Sequence, residues 1–483
     1  MNTRIFLQSI LTIIALGLGG NERCIAEEKN EVARPNIILC MTDDQGWGDT
    51  GYNGHPLVKT PNLDAMAAAG IRFDHFYAAG PVCSPTRASV MTGRHPNRMN
   101  VIRYGTPMRP QETTIAEALK QSGYVTGHFG KWHLGSIQKG SPVNPGNSGF
   151  DEWLSSPNYF DMDPILCRKG VAVQYQGESS AITVDAALEF IREQSKADQP
   201  FLAVVWFAAP HTPLEASDED LEPYISEGEW AGYFAELTAF DRAFGKLRDE
   251  LKVMGIKDNT ILWYNSDNGG MHWKSTGGRA KKGSIYEGGL RVPALLEWPK
   301  RFPKPQVVTA PCNTSDIYPT LLEITGTKVE GQFPLDGINL MPILQGTQVS
   351  RTKPMGFWQM NGKGKGVSSK KLMAGLLKAQ KNGKEVTDVS HLDLDAAEVK
   401  TPIPENDISG HAAWLDWPWK LHRITNNNGD VKFELYNLVE DSYEKADQSK
   451  RYPERVQSMK VQLEGWQKSV VQSYNGQDYL PKN

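Results

Sequence analysis

The stretch "NIILCMTDD", residues 36–44, joins an unbroken apolar run, Ile37 to Met41, to a pair of acids, Asp43 and Asp44. Such a run, with no polar alternation, reads as a strand buried on both faces. The segments around it repeat the theme. "TTIAEALKQSG" (113–123) reads as a short helix, and "YVTGHFGKWHLG" (124–135) as a strand entering a polar loop. "TVDAALEFIREQ" (183–194) is helical in pattern, and "PFLAVVWFAAPH" (200–211) is a strand ending on His211. "YFAELTAFDRAFGKLRDELKVMG" (233–255) is a long amphipathic helix, and "TILWYNSDNGG" (260–270) a strand ending in Asp267 and Asn268. This rhythm predicts an α/β fold with a large, mainly parallel sheet and helices on both faces.

In open sheets of this kind the ligand site lies beyond the carboxyl ends of the strands. Asp43 and Asp44, Lys131 and His133, His211, and Asp267 and Asn268 all fall there, so four strands deliver acid, imidazole, ammonium and amide groups to one edge. Taken singly, each has a plainer reading: paired acids cap turns, a lone histidine is usually structural, and a lone lysine is a solvated charge. Their convergence is the signal.

The chain has 483 residues and a formal net charge of -4. That length suits a large domain with a smaller one, and the balance of charge argues against a nucleic-acid binder. The opening "MNTRIFLQSILTIIALGLGGNERCIAEEKN" reads as a secretory signal over residues 1–26, with Arg4 before an apolar core and small residues ahead of Glu27. The core is shorter than the about 20 residues that a membrane anchor needs. The expected product is exported, periplasmic or secreted, with no anchor after cleavage. Of the five cysteines, Cys40, Cys83, Cys167 and Cys312 would remain. That is too few for a disulfide scaffold, although Cys167 and Cys312 are free to pair.

The texture changes near residue 346, which divides the chain into an expected catalytic domain, 33–345, and a C-terminal subdomain, 346–483. Residues 361–384 are rich in lysine and glycine and read as a solvated, flexible face, with a polyanion groove as the rival reading. "HAAWLDWPWKLHRI" and "VKFELYNL" are strand-like. In the closing segment Val456, Met459, Leu463, Trp466 and Val470 recur at helical steps behind Pro453. A small sheet with a packing helix is expected.

Two acid-bearing strand ends make an oxygen-rich set suited to a hard divalent cation such as Ca²⁺, and no zinc spacing is present. "GPVCSPTRASVMTGRHP" (80–96) sets Cys83 at the start of a helix, where the helix dipole and Arg87 favour an anion. A lowered thiol pKa and a cysteine nucleophile follow. Soft thiolate beside a hard-cation site is a poor match, however, and an oxygen nucleophile would remove the conflict.

"CSPTR" at 83–87 matches the C-x-P-x-R core of the type I sulfatases, whose cysteine becomes formylglycine, and "ASVMTGRHP" continues it. "MTDDQGWGD" (41–49), "GHFGKWHLG" (127–135), "APHTP" (209–213), "SDNGG" (266–270) and "KGSIYEGGLRVP" (282–293) resemble that family in its own order. "FELYNLVEDSYEKAD" (433–447) is similar to its C-terminal strand and turn. The resemblance implies an alkaline-phosphatase-like α/β sandwich with a smaller antiparallel C-terminal domain.

It further implies one Ca²⁺ held by Asp43, Asp44, Asp267, Asn268 and the modified Cys83. One hydroxyl of the hydrated aldehyde attacks sulfur, and the other later expels sulfate. Arg87 would hold the diol and Lys131 neutralise sulfate. His133 would take a diol proton, while His211 and Lys282 bind sulfate and protonate the leaving oxygen. Lys282 is chosen over Lys281 because it directly precedes "GSIYEGG".

The implied partners are a sulfate ester, by analogy a sulfated carbohydrate, and a formylglycine-generating maturation enzyme. The rival functions are a phosphonate or phosphodiester hydrolase of the same superfamily and a non-catalytic binder of sulfated glycans. His272 and Trp273, just past the Asp-Asn pair, read as loop residues before substrate contacts. Residues 158–180 resist decoding.

Overall fold

The computed structural model describes residues 34–272 and 274–480. The secretory segment expected over 1–26 lies outside the described residues, as does Trp273.

The strand Asn36–Thr42 is the centre of a ten-stranded sheet. It pairs in parallel with Phe201–Trp206 on one side and Thr260–Ser266 on the other. Val125–Lys131 follows beyond Phe201–Trp206, and Glu152–Ser156 beyond that, both parallel. The edges turn antiparallel. Ala294–Glu297 pairs with Thr260–Ser266 on one flank, and the hairpin Ile165–Arg168 and Val171–Gln174 extends the other. That hairpin occupies the stretch whose sequence could not be decoded.

Burial on both faces follows from the alternation along the central strand. Ile37, Leu39 and Met41 enter a core shared with the helices Cys83–Thr92, Ile115–Gln121 and Ile317–Thr325. Ile38 and Cys40 enter the opposite core, closed by Pro61–Ala69, Ser179–Lys196 and Ala231–Val253. A continuous apolar run is what such a two-faced position requires. The expected α/β sandwich is present.

The four strands Met355–Gln359, His411–Asp416, Trp419–Thr425 and Val431–Asn437 form a separate antiparallel sheet. One face packs Trp414, Leu421 and Leu435 against Met459, Leu463 and Val470 of the helix Pro453–Tyr474. The other sets Phe357, Leu415 and Tyr436 against Tyr77, Ile285 and Leu290.

One expectation is corrected and one open pairing is answered. The lysine-rich stretch contains a helix, Ser369–Lys381, which buries Met373 and Leu376 and is capped by Ser368. Its apolar stripe anchors it, so it is not merely a flexible face. Cys167 and Cys312 are both buried and free, in different parts of the core, as are Cys40 and Cys83. Among the described residues, no helix is long and apolar enough to cross a membrane.

Candidate active site

Register alone brings the acid pairs together. Thr42 stands opposite Ser266, so Asp43 and Asp44 leave the sheet beside Asp267 and Asn268. The Asp267 N–H donates to the Thr42 carbonyl at 3.1 Å, and the Asp44 N–H to Asp267 Oδ1 at 3.1 Å. Asp44 takes a φ of 70° to make that turn, a left-handed conformation that costs a non-glycine residue on the order of 1 kcal/mol. The amide of Asn268 donates to Asp44 Oδ1 at 2.8 Å.

Cys83 is the first residue of its helix and is buried. Its thiol donates to Asp43 Oδ1 at 3.2 Å, with Asp44 Oδ1 at 4.0 Å. The thiolate expectation is overturned. Burial first, and the Asp43 carboxylate second, push the thiol well above its usual range, against the pull of Lys131 and Lys282. A helix N-terminus cannot outweigh burial among carboxylates that arrive from distant strands.

Cations surround those carboxylates. Arg87, one turn into the helix and fully buried, donates to Asp267 Oδ2 at 2.9 Å and to the Lys131 carbonyl at 3.2 Å. Its guanidinium lies 5.1 Å from the Trp206 ring. Lys131, the last residue of its strand, pairs with Asp43 Oδ2. Lys282 reaches Asp44 Oδ2 at 2.7 Å, whereas Lys281 is exposed. His211 Nε2 is 3.7 Å from the same oxygen, and its ring stacks on Tyr159 at 4.7 Å.

His133 has a φ of 55°, and both of its buried ring nitrogens are without a hydrogen-bond partner. Burial holds the imidazoles of His133 and His211 below the usual range, and for His133 the Lys131 and Arg87 charges add to the effect. Burial tends to raise Asp43, but Lys131, His211, Arg87 and Lys282 overcome it and hold that carboxyl well below its ordinary value. Asp267 is pushed up, by burial and then by Asp43.

All ten residues singled out in the sequence thus meet at one sheet edge. Ligand atoms of Asp43, Asp44, Cys83 and His211 lie within 4.8 Å of one another. Asn268 Oδ1 is buried and has no hydrogen-bond partner. Three carboxylates and an orphaned amide oxygen are the donor set of a hard divalent cation, so the residues fit Ca²⁺.

Two supporting residues escaped the sequence reading. Tyr233 donates to the Asp44 carbonyl at 2.9 Å, with Asp49 Oδ2 2.6 Å away, from the first turn of the otherwise ordinary amphipathic helix Ala231–Val253. Tyr159 flanks His211 from the undecoded stretch, and neither residue carries a local signal. His272 sits apart from the cluster, edge-on to Trp230 at 4.6 Å and hydrogen-bonded to Ser275 Oγ at 3.0 Å.

A sulfatase family model matches residues 35–327. The N-acetylgalactosamine-6-sulfatase of Canis lupus familiaris is 33% identical over 361 residues, 65% of this chain and 67% of that protein. The ulvan-active sulfatase of Formosa agariphila is 33% identical over 326 residues, 63% and 64% of the two chains. The crystal structure of Ps i-CgsB superposes with a TM-score of 0.74 at 26% identity, over 93% of this chain and 98% of that one. The same protein has been solved in complex with a k-i-k-neocarrahexaose. The match spans well over half of the chain and includes the strand ends that carry all four acid and amide positions; the chain belongs to the sulfatase family, the sulfuric ester hydrolases.

Proposed function

We propose that this protein is an exported sulfatase that removes sulfate from a sulfated carbohydrate, with a formylglycine made from Cys83 and one Ca²⁺. The observation that carries the reading is the buried Cys83 set against Asp43 and Asp44, among the side chains of Arg87, Lys131, His133, His211 and Lys282. The raised thiol favours an oxygen nucleophile over a thiolate. The substrate class is supported by the N-acetylgalactosamine-6-sulfatase and ulvan-active sulfatase relatives and by the k-i-k-neocarrahexaose bound to Ps i-CgsB.

Asp43, Asp44, Asp267 and Asn268, with the modified residue 83, would hold the ion. Formylglycine supplies an oxygen nucleophile, and the ion supplies positive charge against the sulfate oxygens.

The chain's own groups do the rest. Arg87, held between Asp267 and the Lys131 carbonyl, orients the residue 83 side chain. Lys131 and Lys282 draw the sulfate oxygens toward their ammonium groups and stabilise charge that grows in the transition state. His133, held neutral by burial and without a hydrogen-bond partner, would accept a proton at its free ring nitrogen as sulfate departs. His211 and Lys282 stand where the leaving oxygen must pick up a proton.

We assign catalysis to residues 33–345 and treat 346–483 as a subdomain that completes the pocket. Export follows from the N-terminal reading, and maturation needs a formylglycine-generating enzyme.

The test is the mass of the tryptic peptide "FDHFYAAGPVCSPTR" (73–87) from active protein made in its native host. A peptide lighter by the difference between thiol and aldehyde is the expected result. Unmodified cysteine in active protein would remove this mechanism.

A further inference from the structure

The helix Ser369–Lys381 and the segment before it form one wall of a cavity of about 550 Å³ whose opposite wall includes His133. Only two of the many lysines in that stretch, Lys365 and Lys371, line the cavity.

Hydrogen bonds hold this wall on both sides of the cluster around Cys83. On one side the Lys365 N–H donates to the Tyr104 carbonyl at 2.9 Å, and the Gly105 N–H donates to Ser84 Oγ at 2.9 Å. Ser84 directly follows Cys83. The approach is close enough that a Cβ on Gly105, whose φ is 74°, would lie 2.0 Å from the Lys365 carbonyl oxygen. On the other side Asn158 donates its N–H to Ser369 Oγ at 3.0 Å and its amide to the Val367 carbonyl at 2.8 Å. Asn158 adjoins Tyr159, on which His211 stacks.

The wall's charge is partly unspent, although Asp393 also lines the cavity. Lys371 is exposed and has no ion pair among the described residues, and Lys365 Nζ is 4.0 Å from Asp393 Oδ1. The other Asp393 oxygen accepts the Ser136 N–H at 2.8 Å, so this acid is partly committed elsewhere. Ile137, Leu372 and Leu376 give the cavity an apolar floor. An apolar floor with two cationic tips, open beside the reacting group, matches the chemistry of an anionic sugar ring.

We propose that this cavity receives the sugar unit adjoining the one that loses sulfate, and that Lys365 and Lys371 bind a sulfate ester on that neighbouring unit. The inference rests on the sulfatase reading of the Cys83 pocket and extends it: the substrate is an oligosaccharide bearing more than one sulfate.

Binding is measured on the Cys83→Ala protein, so that turnover plays no part. The ligands are galactan tetrasaccharides with one or two sulfates per disaccharide, and a singly sulfated chondroitin tetrasaccharide whose second charge is a carboxylate. The doubly sulfated galactan should bind about 10-fold more tightly than the singly sulfated one, and Lys365→Ala/Lys371→Ala should erase that difference. If the chondroitin ligand binds as tightly as the doubly sulfated galactan, and the double variant weakens both alike, the subsite takes any anion and the sulfate assignment is overturned.

Equal affinity for the two galactans overturns the proposal, as does a double variant that weakens all ligands alike, or absence of binding to all three. The mass of the residue 73–87 peptide from active protein is measured separately, because it reports on residue 83 and not on the cavity. Unmodified cysteine there defeats the underlying sulfatase reading, whereas an aldehyde with no galactan preference defeats the subsite alone.

Discussion

The thiol of Cys83 donates to Asp43 Oδ1 across 3.2 Å, which ties the first residue of a helix to the acid at the end of the central strand. Two segments 40 positions apart therefore place one side chain, and the helix core below it is buried throughout. A reactive group at residue 83 has little freedom to move. That rigidity suits catalysis by pre-set geometry, in which charge is arranged before the substrate arrives.

Cys83→Ala therefore separates chemistry from folding. Turnover of any sulfate ester should fall by at least about 10³-fold, while unfolding free energy changes by no more than about 1 kcal/mol. The second figure is small because the lost group is one thiol whose hydrogen bond is to an already crowded carboxylate. Kinetics and urea denaturation of the same preparation check both. A variant that keeps turnover would show that residue 83 is not the nucleophile.

Calcium should stabilise the fold through Asp43, Asp44, Asp267 and Asn268. Saturating ion at about 100 times its Kd contributes about 2.7 kcal/mol and should raise Tm by a few degrees, with a chelator reversing it. Asp267→Asn should weaken that response by about 10-fold in ion concentration, since it removes one anionic ligand. A Tm indifferent to calcium and chelator would argue against the ion.

His95 predicts an acid-sensitive fold. Burial lowers its imidazole to about 3, only partly opposed by Asp336, and its Nε2 has no hydrogen-bond partner. The unfolded chain takes up that proton near the ordinary value of about 6.5. The neutral ring's contribution is thus complete above 6.5 and is lost as pH falls from there toward 3. Between pH 7 and 4.5 that loss is about 2 to 3 kcal/mol. His95→Gln should flatten this part of the stability profile; a parallel profile would assign the acid loss to other groups.

Much of the site was legible because its residues are read one strand at a time. Asp43 with Asp44, Lys131, and Asp267 with Asn268 stand at or just past the end of a strand whose burial is written in β-branched and aromatic runs. His211, read as ending its strand, lies in the loop five residues past Trp206. What could not be read depends on distant partners. The thiol of Cys83 looked activated from its helix alone, and only the tertiary placement of Asp43 reverses that. The helix Ser369–Lys381 hid its apolar stripe, Met373 and Leu376, among four lysines of its own. The hairpin Ile165–Arg168 and Val171–Gln174 is short, half-exposed and paired with Glu152–Ser156, so no period declared it.

Asp336 should be a stability centre rather than a catalytic one. It accepts the His95 N–H at 2.6 Å, Arg98 Nε at 2.7 Å and Trp466 Nε1 at 3.0 Å, joining the turn Pro96–Met99 to the helix Pro453–Tyr474. Arg98 is nearly buried, so removing its acid leaves a poorly solvated guanidinium. Asp336→Ala should cost about 3 kcal/mol, and Asp336→Asn less, with KM unchanged in both. Chemical denaturation against steady-state kinetics gives the answer, and a change in KM at full stability would move Asp336 into the site.

The roles given to His211 and Lys282 lead to a test based on the leaving group. Both reach Asp44 Oδ2, at 3.7 and 2.7 Å, so they approach the pocket from the same side. A sugar hydroxyl is a poor leaving group and needs a proton as its bond to sulfur breaks, whereas 4-nitrophenolate leaves readily without one. His211→Ala should therefore lower kcat/KM for a sugar sulfate by about 10² to 10⁴-fold, and far less for 4-nitrophenyl sulfate. Lys282→Ala should show the same bias together with a larger rise in KM, because its ammonium also attracts the sulfate. Lys131→Ala, on the other side of Asp43, should slow both esters alike. Equal losses on the two esters for His211→Ala would mean that the imidazole binds sulfate without delivering a proton.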